Sequence, residues 1–371
     1  MGPYYPTWME VNLHQFAENL RTIKLYLGST LFCLPVKANA YGMGLLSMSQ
    51  AAEKNGVEYL GVSSCQEGVL LRKSGIHIPI LVFGALHEPE IASLLAYDLE
   101  FTISSIFKAQ QVQAHLQRMG KSCAVHLEVD TGMQRTGMQP HTFWDLYEFV
   151  KSQPCFVIKG ISSHFANSEE ANSAVTQHQL ALFDSIQRRI PDSKSILFHI
   201  ANSGALMLGA SDTFCQMARP GGLAFGLVEP AALGKGPLRS IRPLVTVKSR
   251  ISFVKTVPPG AGVSYGHTYV ASQEVRIATV PIGYGDGYRR GLSNRGHVLI
   301  RGDRYPIVGN ICMDQLMVDM GDAPAYVGEE VVLLGQQGGG EISAFELAHF
   351  LGTHPYEILC AFTERVPRVY V

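Results

Sequence analysis

The chain of 371 residues has no Cys-x-x-Cys pair, no apolar run long enough to span a membrane and no excess of either charge. Each absence excludes a class of function. Seven cysteines, at positions 33, 65, 123, 155, 215, 312 and 360, follow no regular framework, and their odd number leaves at least one unpaired. That usage fits a reducing compartment, and no metal site is expected. Thirty basic residues against thirty-one acidic ones leave a formal net charge of −1. No global field then draws nucleic acid or an anionic membrane, and a small-molecule substrate is expected. The start, MGPYYPTWMEVNL, lacks a basic segment followed by an apolar one. No later run approaches the roughly eighteen apolar residues of a membrane helix. A soluble cytoplasmic protein is the expectation. Internal repeats and low-complexity tracts are also missing.

What is present is alternation. Short apolar runs occur at 31–36 (LFCLPV), 59–64, 78–84, 99–104, 123–130, 156–165 and 195–202, with a weaker one at 214–220. Between them lie helix-length amphipathic segments such as LLSMSQAAEKNG, PEIASLLAYDL, TFWDLYEFVKSQ and VTQHQLALFDSIQRR. Eight strand-helix units suggest a (β/α)₈ barrel; a doubly wound open sheet gives the same alternation, and the count of eight favours the barrel. After residue 235 the texture becomes β-rich, with glycine, proline and Asp-Gly turns and one convincing helix, ISAFELAHFLG. The reading is a barrel over residues 10–232 and a mostly β domain over 233–371, possibly joined by residues 1–9, with PAALGKGPLRS (230–240) as linker. TWMEVNL is a strand of either part.

In a barrel the residues just past each strand share one face, which carries the active site. Here they are Lys37, Ser64, Gly84, Ser104, Asp130, His164, Asn202 with Ser203, and Arg219 with Gly221. Lysine forms Schiff bases, and desolvation in a barrel mouth lowers its pKa toward a working value. Tyr41, Ser203 and the turn RPGG (219–222) offer hydroxyls and open backbone N–H groups that suit a phosphate. A lysine beside a phosphate site suggests pyridoxal 5′-phosphate.

VKANAYGMG resembles the cofactor-lysine motif of alanine racemases. Further matches follow in order: VDTGMQRTGM, SHFANSE, HIANSGA, ARPGG, GVSYGHTY, PIGYGDGYRR, VGNICMDQLMVD, THPYEILC and RVPRVY. The resemblance covers nearly the whole chain. It implies a PLP-binding barrel followed by a β domain, and a cytoplasmic homodimer with composite sites that supplies D-alanine for cell-wall precursors. Carried over, Lys37 is the Schiff-base lysine and the base for the D-enantiomer, and Tyr265 from the partner subunit is the base for the L-enantiomer. Arg219 faces the pyridine nitrogen, and a fold-type III decarboxylase would place a carboxylate there instead. His199 bridges Tyr265 and Arg219, lowering the tyrosine's pKa from about 10, and His164 packs near the ring. Tyr41, Ser203, Gly221 and Tyr356 hold the phosphate. Arg135 and the N–H of Met313 hold the substrate carboxylate, and Tyr284 and Asp314 line the entrance.

Four positions depart from the family pattern. Met43 replaces a histidine, Gly222 a bulkier apolar residue and His354 an apolar one. Glu128 stands where the family usually has a lysine that can be carbamylated. In HLEVD, residues 126, 128 and 130 share one side, so Glu128 is expected inside with the carbamate's role of holding Arg135. Two other functions stay open: a broader racemase acting on serine, against which Tyr356 argues, and a non-catalytic PLP-binding protein, against which the presence of both Lys37 and Tyr265 argues.

Overall fold

The computed structural model describes residues 6–170, 173–191, 195–209, 213–229, 233 and 236–371. Two compact units emerge. One comprises Ala17–Ala40 and Leu45–Ile241; the other comprises Met1–Phe16, Tyr41–Gly44 and Arg242–Val371.

In the first unit eight parallel strands pair in chain order: Leu31–Pro35, Tyr59–Val62, Ile80–Val82, Glu100–Ile103, Cys123–Glu128, Phe156–Ser162, Leu197–His199 and Met217–Ala218. The last strand pairs with the first. Gln216 N–H to Phe198 O at 3.2 Å and Arg219 N–H to Ala201 O at 2.9 Å bridge the last two strands. The ring is a nearly closed barrel rather than an open sheet. The expected helices occupy Leu45–Lys54, Ile91–Ala96, Pro140–Ser152 and Ala174–Arg189. The second is short because Pro89 sits inside a separate 3-10 turn, Glu88–Glu90, at a position where its missing N–H does no harm.

Alternation along the strands turns every second side chain into the barrel. Cys33, Tyr59, Leu81 and Met217 meet there as an apolar cluster, with Leu31, Phe83 and Leu197 against it. Two residues beyond Leu197 and Met217, the same phase gives His199 and Arg219. The interior is thus apolar in one layer and polar in the next. Gly160 lies opposite His126 in the pairing, and a Cβ there would stand 2.2 Å from His126 Nδ1. The missing side chain makes room for the imidazole.

The second unit is mostly β. Its largest sheet takes Trp8–Val11 between Val245–Arg250, antiparallel, and Arg368–Tyr370, parallel. TWMEVNL therefore belongs to this unit, far away in sequence. In a three-stranded sheet, Phe253–Val257, Val275–Val280 and Leu316–Asp319, the side chains of Val257, Val275 and Ile277 cluster with Val263, Ala271 and Val308. The helix Ala344–Leu351 starts at Ser343, whose Oγ accepts from Glu346 N–H at 3.1 Å. A second helix, Pro355–Cys360, was not legible from periodicity, because six residues cannot display it. Of the expected linker, residues 230–232, 234 and 235 lie outside the described residues; Pro237–Ser240 forms a 3-10 turn. No helix among the described residues is long and apolar enough to cross a membrane.

Candidate active site

Lys37 directly follows the first barrel strand and opens a turn of the hand that L-residues avoid. Ala38 (φ 53°, ψ 52°), Asn39 (56°, 44°) and Ala40 (51°, 55°) are left-handed, and Tyr41 continues at φ 54°. Each such residue costs about 1–2 kcal/mol, so the surroundings must hold the turn. Ala38 N–H donates to Glu67 Oε1 at 2.8 Å, Ala40 N–H to Val36 O at 2.8 Å and Leu45 N–H to Asn39 Oδ1 at 2.7 Å. The other Glu67 oxygen accepts from Ser63 N–H at 2.8 Å and Ser64 N–H at 3.3 Å. One carboxylate thus ties the Lys37 turn to the loop after the second strand. The capping-box spacing in SCQE marks Glu67 as a helix-start residue. Nothing in that spacing points to Ala38.

Arg219 follows the last strand and is 7% exposed. Its Nη1 donates to His199 Nδ1 at 2.5 Å and to His199 O at 2.8 Å. Its Nη2 donates to Ser163 O at 2.7 Å and to His164 Nδ1 at 3.2 Å. Burial pulls this guanidinium below its ordinary value, yet arginine keeps its proton and can only donate. Four acceptors match the four terminal N–H bonds. The Nε–H is the one donor left over among the described residues, and an acceptor such as an unprotonated ring nitrogen fits it.

His199 has both ring nitrogens engaged, Nδ1 with Arg219 and Nε2 with His126 Nδ1 at 2.8 Å. It has no nitrogen left for a tyrosine, so the bridge expected of His199 is not available to it. His164 has that capacity, because only its Nδ1 meets Arg219. Burial, then the charges of Arg219, Arg135 and Lys37, pull His164 down to about 3. Burial and Arg219 likewise hold His199 well below its usual range. Both imidazoles are neutral at physiological pH.

Glu128 does point inward, and its Oε1 accepts from Thr136 Oγ1 at 2.8 Å. Burial raises its pKa, while the Thr136 hydrogen bond and the charges of Arg219 and Arg135 oppose that. No ion pair joins Glu128 to Arg135 among the described residues. Arg135 is exposed on a loop that Asp130 Oδ1 closes, accepting from Gly132 N–H at 2.8 Å and Gln134 N–H at 3.1 Å. The hydroxyl that holds Glu128 sits one residue beyond the expected guanidinium.

Ser203 opens the helix Ser203–Met207, and its Oγ accepts from Leu223 N–H at 3.1 Å. That bond brings it to the helix Gly221–Ala224, whose first N–H groups lack intrahelical partners. Hydroxyl and open N–H groups together suit an oxyanion.

The second unit carries the remaining expected groups. Tyr265 stands on a turn with Ser264 at φ 64°, Gly266 at 71° and His267 at 45°. Asn310 holds this turn: its Nδ2 donates to Tyr265 O at 2.7 Å, and its O accepts from Ser264 Oγ at 2.6 Å. Two residues on, Cys312 Sγ lies 3.4 Å from Ser264 Oγ, and Cys312 O and Met313 O accept from Tyr284 N–H and Gly285 N–H at 3.1 and 2.9 Å. Asp314 pairs with Arg365 at 2.7 Å, and Arg365 with buried Asp286 at 3.1 Å. Tyr265, Tyr284, Met313 and Asp314 therefore lie on one connected surface. Tyr356 meets Tyr41 edge to face at 5.4 Å and stacks on His354 at 4.4 Å. Asn310 and Arg365 escaped sequence reading because hydrogen bonds between distant loops leave no local spacing.

Residues 11–229 match the family described as "Alanine racemase, N-terminal domain", and residues 244–370 match "Alanine racemase, C-terminal domain". The alanine racemase of Desulfovibrio desulfuricans is 39% identical over 370 residues, covering 99% of this chain and 98% of that protein. That of Symbiobacterium thermophilum is 39% identical over 368 residues, covering 98% and 97%. Among solved structures, the alanine racemase of Clostridium difficile 630 superposes with TM-score 0.93 at 35% identity, covering 100% of this chain and 97% of that one. That of Streptomyces lavendulae gives TM-score 0.93 at 31% identity, covering 100% and 98%.

Proposed function

The chain belongs to the alanine racemase family and interconverts L- and D-alanine, and on that premise we propose how its own residues carry the reaction. Pyridoxal 5′-phosphate is the cofactor; when bound it withdraws electrons from the substrate's α-carbon and acidifies the proton there. Lys37 would hold it covalently. Ser203, Tyr41, Tyr356 and the N–H of Gly221 would hold its phosphate, and Arg219 Nε–H would donate to its ring nitrogen. Because arginine only donates, that nitrogen would carry no proton of its own.

Racemisation requires a proton to leave one face of the α-carbon and return on the other. Lys37 Nζ exchanges it for the D-enantiomer and Tyr265 Oη for the L-enantiomer. Tyr265 comes from the partner subunit of a homodimer. His164, with Nδ1 on Arg219 and its proton on Nε2, donates to the Tyr265 oxygen and favours its charged form. Arg135 and Met313 N–H hold the substrate carboxylate, while Tyr284 and Asp314 border the entrance. In the cytoplasm the product is D-alanine for cell-wall precursors.

The observation that carries this reading is Arg219, with every terminal N–H engaged by a neutral acceptor and Nε–H left over. The test is direct. Purified protein is incubated with pyridoxal 5′-phosphate and L-alanine or L-serine, and the enantiomers are resolved by chiral chromatography. D-alanine should form many times faster than D-serine. Equal rates would make the protein a broader racemase, and no D-alanine would overturn the reading.

A further inference from the structure

Arg219 is a buried cation whose four terminal hydrogen bonds all end on neutral acceptors. Glu128 acts on it through space, and one unbroken line of hydrogen bonds joins it to a second carboxylate. Arg219 Nη1 meets His199 Nδ1 at 2.5 Å, His199 Nε2 meets His126 Nδ1 at 2.8 Å, and His126 Nε2 meets Glu100 Oε2 at 2.8 Å. Both imidazoles are 0% exposed, whereas the Glu100 side chain is 15% exposed. Glu100 opens the fourth strand, and Arg219 follows the end of the eighth. The line therefore runs through the barrel interior from the end that carries Lys37 to the opposite end.

The order of protons along this line is forced. Arg219 can only donate, so His199 Nδ1 must accept and the His199 proton lies on Nε2. That proton faces His126, so His126 Nδ1 must accept and its proton lies on Nε2. Ionised Glu100 can only accept, which suits that proton. A doubly protonated His126 is incompatible with this geometry. Its Nδ1–H would push the His199 proton onto Nδ1, donor against donor, 2.5 Å from Arg219. With a pure donor at one end and a pure acceptor at the other, one arrangement satisfies all three junctions, and both rings are neutral.

We infer that Glu100 is a positioning residue for the reaction, acting on Arg219 through His126 and His199 by fixing the tautomers of both rings. Two further observations mark the line as built. Gly160 leaves the space that the His126 ring occupies. Glu100 Oε1 also has a donor in reach, the Tyr59 hydroxyl at 3.5 Å, so the carboxylate is held at both oxygens. The catalytic consequence rests on Arg219 serving the cofactor's ring nitrogen, as proposed above. The proton order does not.

The test separates the two. Full-length protein labelled with ¹⁵N-histidine is examined by long-range ¹H–¹⁵N NMR at neutral pH, with and without pyridoxal 5′-phosphate. His126 and His199 should both be neutral with the proton on Nε2. A cationic ring, or a proton on Nδ1 of either, overturns the inference without any variant. Glu100→Gln then offers an amide donor where only an acceptor stood, so the reversed order competes and the two rings' signals should shift or double. In the same variant kcat should fall about tenfold, the usual scale for loss of an outer hydrogen-bond partner. The cofactor's absorbance band should shift, KM for alanine should change little, and Glu100→Asp should recover most of kcat. Unaltered rings with wild-type kcat in a folded Glu100→Gln overturn the positioning role. Altered rings with wild-type kcat and absorbance overturn it too, by detaching Arg219 from the cofactor.

Discussion

The barrel and the β unit hold their site groups in opposite ways. Arg219 and His199 are buried, with the four terminal N–H bonds of the one and both ring nitrogens of the other engaged in hydrogen bonds, whereas Tyr265 is 75% exposed on a turn braced by Asn310 at Tyr265 O and at the Ser264 hydroxyl. Tyr284 and Met313 are exposed large groups on the same surface. Exposed clusters of this kind mark surfaces that meet something else. The barrel fixes its polar groups in a hydrogen-bonded network, and the β unit presents its groups to solvent. The homodimer proposed above, in which each β unit serves the partner's barrel, would account for that contrast.

The largest expected effect breaks the barrel side. Lys37→Ala should lower racemisation in both directions by about 10⁴-fold, the upper range for a group that moves a proton, and abolish the bound-cofactor absorbance. Chiral chromatography and the visible spectrum read both.

Tyr265→Phe breaks the other side. The cofactor should stay bound, and exchange of the L-alanine α-proton in D₂O should slow by about 10³-fold, with D-alanine exchange less affected; ¹H NMR follows both. Mixing this variant with Lys37→Ala sharpens the comparison. If the sites are composite, subunit exchange gives a mixed dimer with one intact site, and activity returns. Exchange seen by native mass spectrometry without recovered activity would sink the composite site.

Glu67→Ala tests how the strained Lys37 turn is held. Three backbone N–H groups lose a charged acceptor, so stability should fall by about 2–3 kcal/mol, measured by urea unfolding, and cofactor loading should slow. Glu67→Gln should lie between.

A smaller effect is expected of Glu128→Gln. Thr136 can still donate to the amide oxygen, and only the negative charge near Arg135 and Arg219 is lost. KM for alanine should rise about fivefold, near 1 kcal/mol, with the cofactor retained. Native activity should not depend on bicarbonate.

The smallest change at working pH concerns His164, lowered from 6.5 to about 3 in the fold. The unfolded chain then binds more protons between those values. The contribution to stability is fully present above 6.5 and is lost as pH falls toward 3. Thermal melts should show a loss over that window in the wild type and a shallower one in His164→Gln.

Local repetition decided much of this protein. Eight apolar runs and the helical segments between them set the barrel, since strand and helix periods are properties of a few neighbouring residues. The motifs also nominated Lys37, Arg219 and Tyr265 as site residues, because their immediate neighbours carry the signal. Tertiary structure decided the partners. TWMEVNL joined the β unit because its pairing strands lie more than two hundred residues away, at Val245–Arg250 and Arg368–Tyr370. Glu67 reached Ala38 because two loops converge at the barrel's end. His199 turned out to face Arg219 and His126, and Glu128 to face Thr136, because hydrogen bonds select among neighbours within about 3 Å. Which neighbours come that close depends on barrel closure and strand register, and one chain segment carries no record of either.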